Sequence, residues 1–421
     1  MIELEAIRLL DLEDPLNQFR NYFFHQDNEI YLDGNSLGKL PIKVISQIEN
    51  TVKNEWGKQL IRSWNENWLN LPERLSNKYS KLLNTSPDEI LFGESTTVRL
   101  YQILYALIQS GKYPNHLITD CLNFPTDQYV LQGLTKQFKN LAFTSVEYGQ
   151  EIQADIDHLK KVIQKTPGII CLSLVTYKSA FLYPIMELNE FADQRVSIIV
   201  WDLSHAVGAV PIDFEKSKTK VALGCTYKYM NGGPGSPAFL YVKNTLLQSL
   251  DNPIQGWFGH QNPFDFTPEY TAAQYLKRFN NGTPSVLSMQ AVETGVDLIL
   301  KAGINTIRTK SVKQSEMLIE ALKNELSPLE FSLQSPENKS ERGSHIAIAH
   351  PHAWQICQAL ISGDYKSPKI IPDFRPPSII RIGITPLYTC FEDLWWVVYQ
   401  LKNIVESKSY LKFDKKKSQV T

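Results

Sequence analysis

From about residue 90 onward, short apolar and β-branched runs alternate with longer stretches of helical period, which is the pattern of a parallel sheet covered by helices. The runs at 90–92, 116–120, 141–146, 169–175, 197–202, 221–224 and 238–242 predict strands, with helices predicted at 97–109, 126–138 and 187–194. Further along, runs at 344–350 and 379–384 and amphipathic stretches at 351–360 and 391–407 predict a smaller α+β unit, reached through a long helix over 285–301. Ahead of both, YLDGNSLGKLP reads as strand and turn and 42–56 as a helix, expected to pack on one of the domains or on a partner subunit. The expected fold class is α/β: a large domain with a mostly parallel sheet of seven strands flanked by helices, plus a smaller α+β C-terminal domain. The expected division is 1–60 for the N-terminal segment, 61–300 for the large domain and 301–421 for the small one. No internal repeat is visible, and the polar tail FDKKKSQVT reads as a frayed, solvated end.

Composition narrows the function classes. A chain of 421 residues, 43% hydrophobic and 21% charged, can bury a full core. With 43 basic against 44 acidic side chains, no overall field draws it to nucleic acid or to an anionic membrane, so the expected partner is a small molecule. The start MIELEAIRLLDLEDP carries acids where a secretory leader has a basic head, and no run is apolar for membrane-spanning length; the expected location is the cytoplasm. The five cysteines (Cys121, Cys171, Cys225, Cys357, Cys390) lack CxxC spacing and sit mostly in apolar runs, so neither disulfides nor zinc are expected. His350 and His352 in AHPHAW have no acids or cysteines beside them, and no metal is assigned to them.

The candidate chemistry lies in SIIVWDLSHAVGAVPID followed by VALGCTYKYMNGGPGSPAFLYV, two apolar strands that each run into polar residues and tight turns. Ligands of an open parallel sheet bind beyond its C-terminal strand ends, so Asp202, His205, Tyr227 and Lys228 should face one crevice. Alone, Asp202 reads as a helix cap, His205 as a satisfied buried histidine and Lys228 as a solvated loop lysine. Together they match what a pyridoxal ring needs: an amine to bond its aldehyde and a carboxylate to keep its pyridine nitrogen protonated. Partial burial beside other cations would keep the lysine uncharged for that attack.

The segments YLDGNSLG, FPTD, WDLSHAVGAVP, GCTYKYMNGGPGSPAFLYV, GWFGH and GTPSVL resemble the kynureninase family, in that order and spacing and over most of the chain. The lysine with an upstream strand-end aspartate is general to fold-type-I pyridoxal-phosphate enzymes of the class V aminotransferase kind; the other segments are narrower. The resemblance implies pyridoxal 5'-phosphate as cofactor and hydrolysis of L-kynurenine, or its 3-hydroxy form, to anthranilate or 3-hydroxyanthranilate and L-alanine. It implies that Thr96 and Thr97 hold the phosphate at a helix start, that Phe124 stacks on the pyridine ring with Asp127 beside it, and that Ser173 lies near the ring. Asp202 would hold the pyridine nitrogen, His205 would lie near the cofactor, Tyr227 would contact the phosphate and move protons, and Lys228 would bond the cofactor.

By the same resemblance, Trp257 and Thr283 come from a second subunit, making the active unit a homodimer, and Ser36 and Trp64 touch the substrate's aromatic ring. For the substrate carboxylate Arg381, on a predicted strand, is preferred because a guanidinium offers paired donors; Arg375 remains the competing choice. After GWFGH the sequence is more polar than the family's, which leaves the aryl end of the pocket open to different specificity. Two alternatives stand. A cysteine desulfurase-like lyase would need a cysteine on a flexible loop, where Cys357 and Cys390 do not lie, and a catalytically silent pyridoxal-phosphate-binding regulator would be expected to have lost Lys228 or Asp202.

Overall fold

A computed structural model describes residues 3–363, 367–414 and 416, so most of the lysine-rich tail lies outside the described residues. In chain order the strands are β1 (Glu29–Tyr31), β2 (Ile90–Phe92), β3 (His116–Asp120), β4 (Ala142–Val146), β5 (Ile169–Ser173), β6 (Ile198–Asp202), β7 (Val221–Gly224) and β8 (Phe239–Val242), followed by β9 (Ser332–Leu333), β10 (His345–Ala349), β11 (Lys369–Ile371), β12 (Asp373–Arg375) and β13 (Ile379–Gly383). Seven of them form one sheet in the order β2-β8-β7-β6-β5-β3-β4. β3, β4, β5, β6 and β7 pair parallel, and β8 runs antiparallel to both of its neighbours. The expected strands are found within a residue or two of their predicted bounds.

Burial on both faces explains why these strands read as continuous apolar runs rather than alternating ones. β5, β6, β7 and β8 are buried at every position. Alternate residues serve two separate cores: Ile118, Ile170, Ile199 and Trp201 pack on one face with Leu159, Ile163, Leu188 and Val292, while Leu117, Ile169, Ile198 and Val200 pack on the other with Ile103, Leu104 and Leu131. The helix Ile156–Lys165, which periodicity did not predict, is started by Asp155, whose carboxylate accepts from the His158 N–H at 2.9 Å.

The second sheet, β12-β13-β10-β9, is antiparallel and covers a third core with the helices Ile304–Ala321, Ala353–Ser362 and Phe391–Glu406. The N-terminal segment binds both units: Leu16, Phe19 and Phe23 enter the core of the large sheet, whereas Ile30 and Leu32 enter that of the small one, where β1 pairs parallel with β11. The helix expected at 42–56 is α-helical only over Ile42–Asn50 and continues as a wider π-helical stretch, Thr51–Gln59. Trp56, Leu60 and Ile61 in and after that stretch are exposed. The residues of chemical interest gather where β3, β5, β6 and β7 end, with β12 and β13 of the small unit facing them.

Candidate active site

A cavity of about 580 Å³ lies at these strand ends, between the two sheets. Its wall includes Ser36, Thr96, Thr97, Phe124, Asp127, Asp202, His205, Tyr227, Lys228, Arg375 and Arg381, so most of the residues singled out in sequence meet here. Lys228 follows β7 and brings its Nζ to 3.2 Å from His205 Nε2 and 5.8 Å from the centre of the Phe124 ring. Burial lowers its affinity for a proton, and the charges of Arg381 and Arg375 add to that effect against the opposing pull of Cys225 and Asp202. His205 is held well below the usual histidine range by burial, then by the charge of Lys228 in its protonated form, so it stays neutral beside the amine.

Two carboxyl groups are buried side by side. Asp202, at the last position of β6, accepts from the Ser204 N–H at 2.8 Å and the Ser204 hydroxyl at 2.6 Å. Asp127, in the first turn of the helix Pro125–Gln137, has an Oδ2 that is buried with no hydrogen-bond partner. Desolvation, then the Asp202 charge, push Asp127 far up, while Ser204 and Lys228 oppose the rise at Asp202. Of the two, Asp127 is the acid pushed further toward its protonated form, and Asp202 is the one its surroundings favour as the anion. At the opposite end, Thr96 and Thr97 open the helix Thr96–Gln109, whose Ser95 cap accepts from the Val98 N–H at 3.3 Å, leaving first-turn N–H groups to face an anion.

Two arginines meet at the third corner. Arg381 on β13 is fully buried and donates to Asp373 and to the Tyr177 carbonyl, and its Nη2 lies 3.0 Å from Ser36 Oγ. Arg375 reaches the same hydroxyl at 3.3 Å and Asp373 at 3.1 Å. Ser36 therefore sits between two guanidinium groups rather than apart from them. Asp373 bonds both guanidinium groups, and the buried Asp33 lies beside Ser36 within reach of both charges, so two acids face two cations at this corner. The loop that supplies Ser36 is clamped onto the lysine loop: the Gly38 N–H donates to the Tyr227 carbonyl at 2.7 Å, and a Cβ at Gly38 would lie 2.2 Å from the Lys228 carbonyl oxygen. The second glycine of GNSLG is needed for that approach.

The comparisons with known proteins agree with this geometry. Residues 307–401 match the family model for the kynureninase C-terminal domain. The chain is 33% identical to a kynureninase from Pseudomonas fluorescens over 406 residues, 95% of each chain, and 33% identical to one from Burkholderia mallei (strain SAVP1) over 411 residues, 96% of each. The chain belongs to the kynureninase family. It is a pyridoxal-phosphate-dependent hydrolase. Among solved structures, an apo cysteine desulfurase from Thermococcus onnurineus NA1 superposes with a TM-score of 0.78 at 17% identity, covering 97% of this chain and 99% of that one. The cysteine desulfurase CsdA from Escherichia coli gives 0.79 at 17% identity, covering 93% and 98%. At that identity the likeness shows the fold alone. Here Cys357 is buried inside the helix Ala353–Ser362 and Cys390 caps the helix Phe391–Glu406, so both are held in ordered elements.

As a kynureninase-family cavity the site suits pyridoxal phosphate on its own chemistry: a desolvated amine, a buried pair of acids, an aromatic ring beside the lysine and a helix start open to an anion. Four residues named in sequence lie elsewhere in this chain. Ser173 is buried behind the wall, donating to Asn123 Oδ1 at 2.6 Å. Trp64 and Thr283 line a second, apolar groove of about 460 Å³ with Trp56 and Trp68, and Ser285 borders both hollows. Trp257 is exposed, stacks at 5.9 Å on Phe266 and donates to the Pro263 carbonyl. Sequence reasoning missed Asn123, Ser204 and Cys225; only Ser204 had a local signal, an Asp-x-Ser spacing suited to a turn that returns its hydroxyl to the aspartate.

Proposed function

We propose that this protein hydrolyses the bond between Cβ and Cγ of L-kynurenine, or of its 3-hydroxy form, to give anthranilate or 3-hydroxyanthranilate and L-alanine. The observation that carries the reading is the meeting of the desolvated Lys228 amine, the Arg381 and Arg375 guanidinium groups and the Asp202 carboxyl in one cavity. Bound pyridoxal phosphate supplies an electron sink for the amino-acid carbons next to its own ring. The chain's residues do the rest. Lys228 bonds the cofactor and, once freed by the substrate amine, moves the α-proton. Asp202 holds the pyridine nitrogen with Asp127 beside it. Phe124 covers the ring face, His205 stands beside the lysine as a neutral partner, and Thr96 and Thr97 take the phosphate. Tyr227, whose phenol burial pushes up, keeps its proton and can donate it as the alanine fragment forms. Arg381 takes the α-carboxylate with Arg375 beside it, and Ser173 supports the ring pocket from behind.

The active unit in this reading is a cytoplasmic homodimer in which Trp257 and Thr283 complete the partner's phosphate site. What supports it is that both lie outside this chain's own cavity, on a face with Trp56, Leu60, Ile61 and Phe266 exposed. Trp64 on that face would meet the substrate's aromatic end, whereas Ser36, expected there from the resemblance, stands instead between the two arginines that take the α-carboxylate. Among the described residues no helix is long and apolar enough to cross a membrane. We take 1–60 as the connecting segment, 61–300 as the cofactor domain and 301–421 as the small domain.

The test is a single cuvette. The purified protein with pyridoxal phosphate should show a visible absorption band that Lys228→Ala lacks, and adding L-kynurenine should produce anthranilate fluorescence with the wild type only. A band with neither anthranilate from L-kynurenine nor 3-hydroxyanthranilate from the hydroxylated substrate would refute the substrate assignment; no band at all would refute the lysine's role.

A further inference from the structure

The residue immediately before Phe124 is tied more completely than any local need of the chain requires. Asn123 is 2% exposed and ends the loop that leaves β3. Its Nδ2 donates to Thr119 Oγ1 at 3.0 Å and to the Cys171 carbonyl at 3.1 Å. Its Oδ1 accepts from the Phe124 N–H at 2.9 Å and from the Ser173 hydroxyl at 2.6 Å. Both donors and both lone pairs of the carboxamide are engaged, which is the full capacity of the side chain.

The partners come from three places: β3, β5 and the turn that presents Phe124. Thr119 and Cys171 are themselves bonded, at 2.8 Å, so the amide is anchored on a rigid strand pair rather than on the loop it restrains. The restraint falls on the Phe124 backbone. From there it reaches the helix Pro125–Gln137, because Phe124 is the N-cap whose carbonyl accepts from the Asp127 N–H at 3.0 Å. The ring that stands 5.8 Å from Lys228 and the acid buried against Asp202 are thus both set by one buried amide that does not itself line the cavity.

We propose that Asn123 is a positioning residue of the cofactor site, acting through Phe124: it fixes the height of the ring over the cofactor plane and the place of Asp127 beside Asp202. Ser173 belongs to the same device, since its hydroxyl is spent on Asn123. This rests on the reading of Phe124 as the residue covering the pyridine ring.

The test uses the full-length protein in four forms: wild type, Asn123→Ala, Phe124→Ala and the double variant, with Ile163→Val in the same core as a control for ordinary loss of stability. Pyridoxal phosphate is titrated into apoprotein by absorbance, and the position of the visible band and its pH midpoint are recorded. Asn123→Ala should raise the cofactor's dissociation constant about tenfold and shift the band, the scale expected for loss of the hydrogen bonds that hold a ring in place. Ile163→Val should lower thermal stability without moving the band. In the Phe124→Ala background the asparagine change should add less than about twofold, because the residue it positions is gone. If Asn123→Ala lowers thermal stability but leaves dissociation constant and band at wild-type values, or if the two changes are additive, the positioning role is wrong while the cofactor site stands. If the wild type itself takes up no pyridoxal phosphate, both readings fall.

Discussion

Replacing Ser204 with alanine tests how the negative charge at the cavity is held in place. Its hydroxyl donates to Asp202 Oδ1 at 2.6 Å and accepts from the Cys225 N–H at 3.1 Å, so it joins the acid at the end of β6 to the strand exit that carries Tyr227 and Lys228. Ser204→Ala removes a hydrogen bond to a charged acceptor, worth about 1.5–3 kcal/mol, and leaves a buried amide N–H without a partner. The backbone bond from the Ser204 N–H remains, at 2.8 Å. Burial already pushes the Asp202 carboxyl up, and the Ser204 hydroxyl opposes that rise, so its loss should raise the carboxyl further. An acid that binds its own proton more tightly pairs less well with a pyridinium nitrogen, so the cofactor's dissociation constant should rise about tenfold near neutral pH and recover in part as the pH is raised. The measurement is an absorbance titration of apoprotein between pH 6 and about 9, beside urea unfolding of the apoprotein, with Ser204→Thr expected to restore much of both. A dissociation constant within twofold of wild type across that range would refute the claim that Ser204 maintains the Asp202 anion.

Three further outcomes are expected. Asp120 is buried, accepts from the Tyr183 and Tyr148 hydroxyls, and is pushed up to about 6 by burial; because the folded value lies above the usual 3.8, the fold binds its proton more tightly. Its stabilising contribution is full below about pH 4 and is lost as the pH rises through 6, up to about 3 kcal/mol, so Asp120→Asn should flatten that part of the apoprotein's stability profile in denaturant titrations; an unchanged slope would contradict it. Gly38→Ala would place a Cβ 2.2 Å from the Lys228 carbonyl oxygen and should cut activity at least about tenfold, whereas Gly133→Ala, which meets nothing within 4 Å in the helix Pro125–Gln137, should be neutral or slightly stabilising by thermal melting. Arg381→Lys keeps the charge but cannot make the guanidinium's fork to Asp373, the Tyr177 carbonyl and Ser36, so steady-state kinetics should show KM raised about 10- to 100-fold with a smaller change in kcat; a larger KM effect in Arg375→Lys would assign the carboxylate to Arg375 instead.

The sequence by itself determined the large sheet and the core of its site. Strands buried on both faces leave unbroken apolar runs, so β5, β6, β7 and β8 were visible, and their ends carry Asp202 and Lys228 because an open parallel sheet collects polar residues there. The antiparallel placement of β8, the parallel pairing of β1 with β11 and the change from α to π geometry after Asn50 were not legible, since each depends on which segments meet across long separations rather than on local period. The same limit applies within the site. A sequence shows that Arg375 and Arg381 lie six positions apart, but not that they converge on Asp373 and Ser36, or that Asp127 and Asp202 are buried against each other. Nothing in the sequence singles out Asn123, whose bonds to Cys171 and Ser173 exist only because β3 and β5 are neighbours in the folded sheet. Residue type and period decide which elements form; desolvation and the company that buried polar groups keep are set by packing, and those fix which protons are held and where.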